Sequence, residues 1–268
     1  MQKTAYLPPK LWGAHMNNEA LPQITAITCI VEESPSVKTF VFDKVFDVSP
    51  GQFCMVWVPG VDEIPMAFSA ANSITVMKVG EATAALFALK EGDKIGIRGP
   101  FGNGFSPKGK VLAVAGGIGV TPLFTLAATG EVDTFVLGAR TSAELIFKKD
   151  LAKLTDLRIA TDDGTEGVHG FVTNILETLP LEEYDTICVC GPEMMMKGIL
   201  KMLQEKGLEK KAQFSMHRYM KCAVGVCGSC CIDPTGERVC KDGPVFSGTV
   251  LAKGELGRHM RGPDGKRM

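Results

Sequence analysis

Five of the nine cysteines in this chain of 268 residues fall within one stretch, "KCAVGVCGSCCIDPTGERVCKDG", Lys221 to Gly243. The spacing is Cys222-x4-Cys227-x2-Cys230-x9-Cys240, with Cys231 in addition. A structural zinc site usually offers two C-x2-C pairs, or one such pair with histidines. This stretch has a single C-x2-C, and no histidine lies between Cys222 and Cys240. C-x4-C-x2-C followed by a distant cysteine is the plant-type [2Fe–2S] spacing. Three thiolates of one tight loop then converge on two irons, while backbone amides of the loop face the bridging sulfides. Gly225 and Gly228, with the small Ala223 and Ser229, let the backbone pass that close. The candidate metal ligands are therefore Cys222, Cys227, Cys230 and Cys240. From the residues alone a zinc knuckle stays open as the alternative. Cys231 directly follows a ligand, so its side chain should turn away and pack as a small buried apolar residue. Cys29, Cys54 and Cys188 sit in strand-like runs, where core packing is the expectation.

Two further stretches have a ligand-binding form. "AGGIGVTPL" follows a strand-like run and opens a helix, so its backbone amides would face an anion. It lacks the G-x-G-x-x-G fingerprint, because Pro122 and Leu123 stand where the third glycine would come. A tight turn without a ligand is the alternative. "CVCGPEMM" ends a second such run, with Cys190 at the tip and Glu193 in the first turn of a helix. A packed thiol is the alternative for Cys190, and the run Met194 to Met196 reads as core. "GPFGNGF", Gly99 to Phe105, is a turn. His169, His217 and Arg218 read as polar surface or capping residues.

The elements that must position these residues have two rhythms. "ITAITCIVEE", "VKTFVFD", "FCMVWVPG", "SITVMKV" and "DKIGIRG" are short runs rich in Val, Ile and Thr, punctuated by Pro, Gly, Asn and Asp. They predict a small antiparallel barrel. From Lys110 strands alternate with helices: "VLAVAGG" with "TPLFTLAAT", "VDTFVLGAR" with "SAELIFKKDLAKL", "LRIATDD" with "VTNILETL", and "YDTICVCGP" with "PEMMMKGILKMLQEKG", which Gly207 ends. That alternation predicts a doubly wound parallel sheet whose strand ends bind ligands. The expected organisation is a barrel over 20–105, an α/β domain over 106–212 and a cysteine module over 213–252. The net charge of −1 gives no basic face for nucleic acid. Val111 to Gly130 is uncharged and of membrane-spanning length, but Gly116, Gly117, Gly119 and Pro122 make it a strand, a turn and a helix. "MQKTAYLPPKLWGAH" has no apolar core of signal-peptide length. The nine cysteines, an odd number, then fit thiols and metal ligands in a reducing, cytoplasmic compartment better than a disulfide framework.

Barrel, "AGGIGVTPL", "CGPEMM" and C-x4-C-x2-C…C, in that order, resemble the electron-transfer subunit of dihydroorotate dehydrogenase type B, in the ferredoxin reductase superfamily. The resemblance runs from about Leu21 to about Val250, and "RYMKCAVGVCGSCCIDPTGERVCKDGPVF" is its most specific part. "GPFGNGF", "GARTSAELIF" and "DDGTEGVHGFVT" follow in order. The resemblance implies FAD between barrel and α/β domain, a [2Fe–2S] cluster in the last module, NAD as substrate, and an FMN-containing catalytic subunit as partner in a heterotetramer. The family's R-P-x-S flavin motif falls on Ile64, Pro65, Met66 and Ala67, so its arginine and serine are replaced. Val76, Met77 and Lys78 take the next flavin segment, and Ala82 and Thr83 replace a Gly-Thr pair. Gly116, Gly117, Gly119 and Thr121, with Cys190, Gly191 and Pro192, correspond to the pyrophosphate and nicotinamide sides. Subunits of ferredoxin:NADP transhydrogenases, sulfide dehydrogenases and hydrogenase diaphorases share these modules. A ferredoxin-like carrier without flavin is the non-enzymatic alternative.

Overall fold

The computed structural model describes residues 21–262 together with 266 and 267. The stretch 1–20, on which the expectation about export rests, lies outside the described residues.

Six strands close an antiparallel barrel in the order β1-β2-β5-β4-β3-β6. They are β1 (Gln23–Ser34), β2 (Val37–Phe42), β3 (Phe53–Val58), β4 (Asp62–Ala70), β5 (Ser73–Met77) and β6 (Lys94–Phe101). Closure leaves no sheet edge unpaired. Phe40, Val56, Phe68, Ile74, Ile95 and Ile97 fill the interior. One helix, α1 (Glu81–Ala88), interrupts this β region and closes the barrel with Leu86. It was not expected.

Seven strands form the second layer, in the order β10-β9-β8-β7-β11-β12-β13. These are β7 (Val111–Gly116), β8 (Thr134–Ala139), β9 (Asp156–Thr161), β10 (Val168–His169), β11 (Thr186–Cys190), β12 (Ala212–Ser215) and β13 (Val245–Ser247). All neighbours are parallel except β12 and β13. The helices are α2 (Val120–Ala127), α3 (Lys148–Leu154), α4 (Val172–Leu176), α5 (Glu193–Glu205) and α6 (Gly248–Leu251). The uncharged run from Val111 is thus β7, a 3-10 turn and α2, as its glycines and proline imply. Among the described residues no helix is long and apolar enough to cross a membrane. The helix expected over "SAELIFKKDLAKL" is broken: a 3-10 turn spans Ser142–Glu144, Phe147 takes φ +57°, and α3 begins after it.

The cysteine segment is an excursion between β12 and β13, so the sheet resumes beyond it. Its docking surface is apolar. Phe53, Met55 and Phe101 of the barrel, Phe214 and Phe246 of the sheet, and Ala223, Cys230, Ile232, Val239 and Cys240 of the excursion belong to one buried cluster. The Phe53 and Phe101 rings sit 5.8 Å apart.

Candidate cluster and dinucleotide site

The four expected ligands converge in pairs. The side chains of Cys222 and Cys227 interact, and so do those of Cys230 and Cys240. The Cys240 N–H also donates to Cys230 Sγ at 3.4 Å. A single zinc with Zn–S of about 2.3 Å would need all its sulfurs within about 3.8 Å of one another. Among the described residues no three of these sulfurs approach mutually within 4.8 Å. Two pairs suit two metal ions, each taking two thiolates.

The loop is electrostatically prepared for thiolates. Burial works against charge on Cys222, but N–H groups of Cys227, Val226 and Val224 donate to its sulfur and pull its pKa down to about 6. Cys230 is drawn down to about 7, chiefly by the Cys240 side chain, against its burial. The same pairing with Cys230, together with burial, pushes Cys240 up. Positive φ at Ala223, Gly225 and Gly228 winds the backbone tightly enough to aim those amides inward. The donor set and the inward N–H groups fit an iron–sulfur cluster. Cys231 stays beside the loop: a Cβ on Gly228 would lie 4.0 Å from its Sγ. It pairs with Arg238 across a short hairpin, and it is half-buried rather than buried.

The glycine turn and the second strand end meet. Gly119 lies so close to β11 that a Cβ there would come within 2.5 Å of the Cys190 carbonyl oxygen. A Cβ on Gly116 would meet Met195 Sδ at 2.6 Å. The backbones of Gly116–Gly119 and Cys190–Pro192 therefore share one cleft floor at the carboxyl ends of β7 and β11. Thr121, 2% exposed, leaves its hydroxyl without a partner there. An orphaned buried hydroxyl at a helix start, beside close-packed glycines, fits a ligand with polar groups such as a dinucleotide. Burial pushes the Cys190 thiol up to about 12 despite the Ser215 hydroxyl, so it stands there as a neutral group.

The barrel side reaches the same cleft. Helix α2 packs against β4, and the turn Gly117–Gly119 against β5. Ile64, Pro65, Met66 and Ala67 lie on β4, opposite Val56, Met55, Cys54 and Phe53 of β3. Ile64 and Met66 pack on the barrel core. Val76 and Met77 end β5, and Lys78 follows with its Nζ 5.9 Å from the Phe87 ring centre. Ala82 and Thr83 are buried in α1. The Thr83 hydroxyl accepts from the N–H groups of Val79 and Gly80 and donates to the Gly80 carbonyl, so it is spent on the helix start.

Residues 217–252 match a family model described as the iron-sulfur cluster binding domain of dihydroorotate dehydrogenase B. Along the whole chain, the probable electron transfer subunit of dihydroorotate dehydrogenase B (NAD(+)) of Methanocaldococcus jannaschii is 50% identical, covering 92% of this chain and 98% of that one. This chain belongs to the family of dihydroorotate dehydrogenase B electron transfer subunits. The family member of Pyrococcus furiosus is 45% identical over 88% of this chain and 94% of its own. Among solved structures, the NADH-dependent reduced ferredoxin-NADP oxidoreductase studied for flavin-based electron bifurcation is 29% identical, with a TM-score of 0.78, over 87% of this chain and 90% of that chain. The FAD/NAD binding domain of a Vibrio cholerae nitric oxide dioxygenase, 21% identical over 72% of this chain and 98% of its own, shares the fold with a TM-score of 0.64. An electron transfer subunit has a catalytic partner subunit.

Two expectations are corrected. Of the run Met194 to Met196, expected to be core, Met194 is 66% exposed and only Met196 is buried. Arg218 is not a surface residue. Its side chain is 1% exposed and lies between two carboxylates. Nε donates to Glu255 at 3.0 Å, and Nη1 and Nη2 donate to Glu193 at 2.9 and 3.1 Å. Glu193 opens α5 directly after the Cys190–Pro192 turn, so Arg218 fixes the excursion to the dinucleotide side. His217 itself is exposed, as expected, and partial desolvation by its surroundings, with Arg218 beside it, holds it below its ordinary pKa. No local sequence pattern marks Arg98, whose partners are far apart in sequence. It grips Glu63 bidentately and donates to the Cys222 carbonyl.

Proposed function

We propose that this chain is the electron-transfer subunit of an NAD-dependent dihydroorotate dehydrogenase serving pyrimidine biosynthesis in the cytoplasm. The observation that carries this reading is the pairing of Cys222 with Cys227 and of Cys230 with Cys240 against the outer face of the barrel, in a chain 50% identical to a named electron transfer subunit. When bound, FAD converts between a hydride and single electrons, which is what joins NAD to a [2Fe–2S] cluster.

The chain's own residues bind, orient and tune. Cys222, Cys227, Cys230 and Cys240 would hold the cluster, and their loop amides would stabilise its charge. Residues 64–67 and 76–78, with Ala82 and Thr83, would line the flavin. With Ile64 and Ala67 in place of the family's arginine and serine, backbone amides and Lys78 would take the phosphates. Gly116, Gly117, Gly119 and Thr121 would face the dinucleotide, with Gly191, Pro192 and the neutral Cys190 thiol at the nicotinamide edge. No side chain is assigned as nucleophile or acid–base catalyst. The units we assign are 20–105 for FAD, 106–212 for NAD and 213–252 for the cluster.

The partner is an FMN-containing catalytic subunit that oxidises dihydroorotate, in a heterotetramer with two copies of each chain. Co-expression with such a subunit, followed by size-exclusion chromatography, tests this. The expected complex shows flavin and iron–sulfur absorption and reduces NAD on addition of dihydroorotate. Separate elution with no dihydroorotate:NAD activity on mixing would favour a transhydrogenase-type subunit instead. A cluster spectrum without flavin would favour the carrier.

A further inference from the structure

Two arginines, each matched by a carboxylate, reach the backbone of the cysteine loop from outside. Arg98 of β6, 12% exposed, places Nε 2.9 Å from Glu63 Oε1 and Nη2 2.7 Å from Glu63 Oε2. Its remaining Nη1 donates to the Cys222 carbonyl at 3.1 Å. Arg238 repeats the arrangement. Nε and Nη2 donate to Asp242 at 2.9 and 3.1 Å, and Nη1 donates to the Gly225 carbonyl at 3.0 Å. The planar guanidinium suits this division, two N–H groups to a carboxylate and one to a third acceptor.

The consequence follows from the peptide unit. In a trans peptide the C=O and the next N–H point in opposite directions. Arg238 draws the Gly225 carbonyl outward, so the N–H of that same peptide, on Val226, points to the opposite side. Arg98 draws the Cys222 carbonyl outward in the same way, turning the Ala223 N–H to the opposite side. Ala223 holds φ +61°, which an alanine adopts at a cost unless its surroundings enforce it. Arg98 has a second effect. Glu63 immediately precedes Ile64 on β4, so one side chain fastens a ligand-bearing peptide to the strand assigned to the flavin.

We propose that Arg98 and Arg238 are positioning residues for the iron–sulfur loop: they hold its carbonyls out and its N–H groups in on the sulfurs, and the Arg98–Glu63 pair sets the charge beside the cluster. The inference rests on these cysteines holding a cluster, and it adds a sign. Reduction makes a cluster more negative, and its potential follows nearby charge and hydrogen bonds to sulfur. Losing the Arg98 cation leaves Glu63 uncompensated and disfavours the added electron. Losing the Glu63 anion leaves Arg98 uncompensated and favours it.

The test is an EPR-monitored redox titration of the full chain, with iron and acid-labile sulfide measured on each sample. Arg98→Gln is expected to lower the cluster's midpoint potential, Glu63→Gln to raise it, and Arg98→Lys, which keeps the charge, to lie between Arg98→Gln and the wild type. Arg238→Gln should lower it and change the g-values. A role confined to holding the fold would not produce opposite shifts from the two halves of one ion pair. If Arg98→Gln does not fold, Glu63→Gln alone decides, a rise supporting the proposal and no change or a fall overturning it. Cluster-loaded Arg98→Gln and Glu63→Gln with unshifted potentials, or with potentials shifted in the same direction, would overturn the inference and leave the ligand assignment standing. Wild-type protein without iron would overturn both.

Discussion

At the scale of single residues, the sulfurs differ by surroundings more than by spacing. Cys230 and Cys240 are buried in the apolar cluster shared with the barrel face, Cys222 is half-buried, and Cys227 is exposed. Cys231 adjoins Cys230 in sequence but belongs to the hairpin opposite Arg238, where burial raises its thiol pKa. Serine at positions 222, 227, 230 or 240 removes a soft ligand from a two-plus-two set, and a hydroxyl does not replace a thiolate on iron. Each of these variants should lose most of its iron and acid-labile sulfide, measured per chain. Cys231→Ser should keep the wild-type content. A full complement in Cys240→Ser, together with loss in Cys231→Ser, would move the fourth ligand to Cys231.

At the scale of elements, the joints are polar and buried. Arg218 precedes the cysteine loop and closes onto Glu193 at the start of α5 and onto Glu255 near the chain's end. Glu255 is itself 2% exposed and also accepts the Asp233 N–H at 2.9 Å. Removing the arginine takes the cation from two poorly solvated carboxylates, leaving Glu193 with the Gly257 N–H and Glu255 with the Asp233 N–H and His259, a loss that typically costs up to about 3–5 kcal/mol. Arg218→Met should therefore lower stability by about that amount in chemical denaturation. Adding Glu255→Gln should restore part of it, because one stranded charge disappears. Equal midpoints for wild type and Arg218→Met would show that the pair contributes nothing. This joint was not legible in the sequence, since its partners lie 25 and 37 residues away and no local pattern pairs them. The strands and glycine turns were legible because alternation and turn chemistry are local. Helix α1 was not, because "EATAALFA" has no strong apolar stripe and sits among strands. The break before α3 escaped for a tertiary reason: Phe147 stacks on Phe124 at 4.4 Å, and that contact holds the backbone out of a helix. The four proposed cysteine ligands stand out because their spacing is itself the chemistry.

At the scale of the whole molecule, the described chain is two regular layers with an irregular excursion mounted on both. Between β12 and β13 there is no strand or helix from 216 to 244. That backbone is held by turns, by Arg98, Arg218 and Arg238, by its apolar dock on the barrel and sheet, and by Asn103, which donates from N–H and Nδ2 to the Gly243 and Asp242 carbonyls. The rest of its order should come from the cluster, because a metal site contributes its binding energy to the fold of whatever supplies its ligands. The layers are different. The barrel is closed, and β12 is paired on both sides, with β11 and β13. Removing the iron should therefore loosen the excursion locally rather than unfold the molecule. Limited trypsin digestion of cluster-loaded and chelator-treated protein checks this by peptide mass. Cleavage after Lys221, Arg238 and Lys241 should rise steeply in the metal-free form, while peptides of the barrel and of β7, β8 and β11 stay protected. The far-UV circular dichroism should change little, since the lost order lies outside strands and helices. Early cleavage across the barrel would mean that the cluster supports the entire fold. Unchanged cleavage at the three sites would mean that the arginines and the apolar dock hold the loop without it.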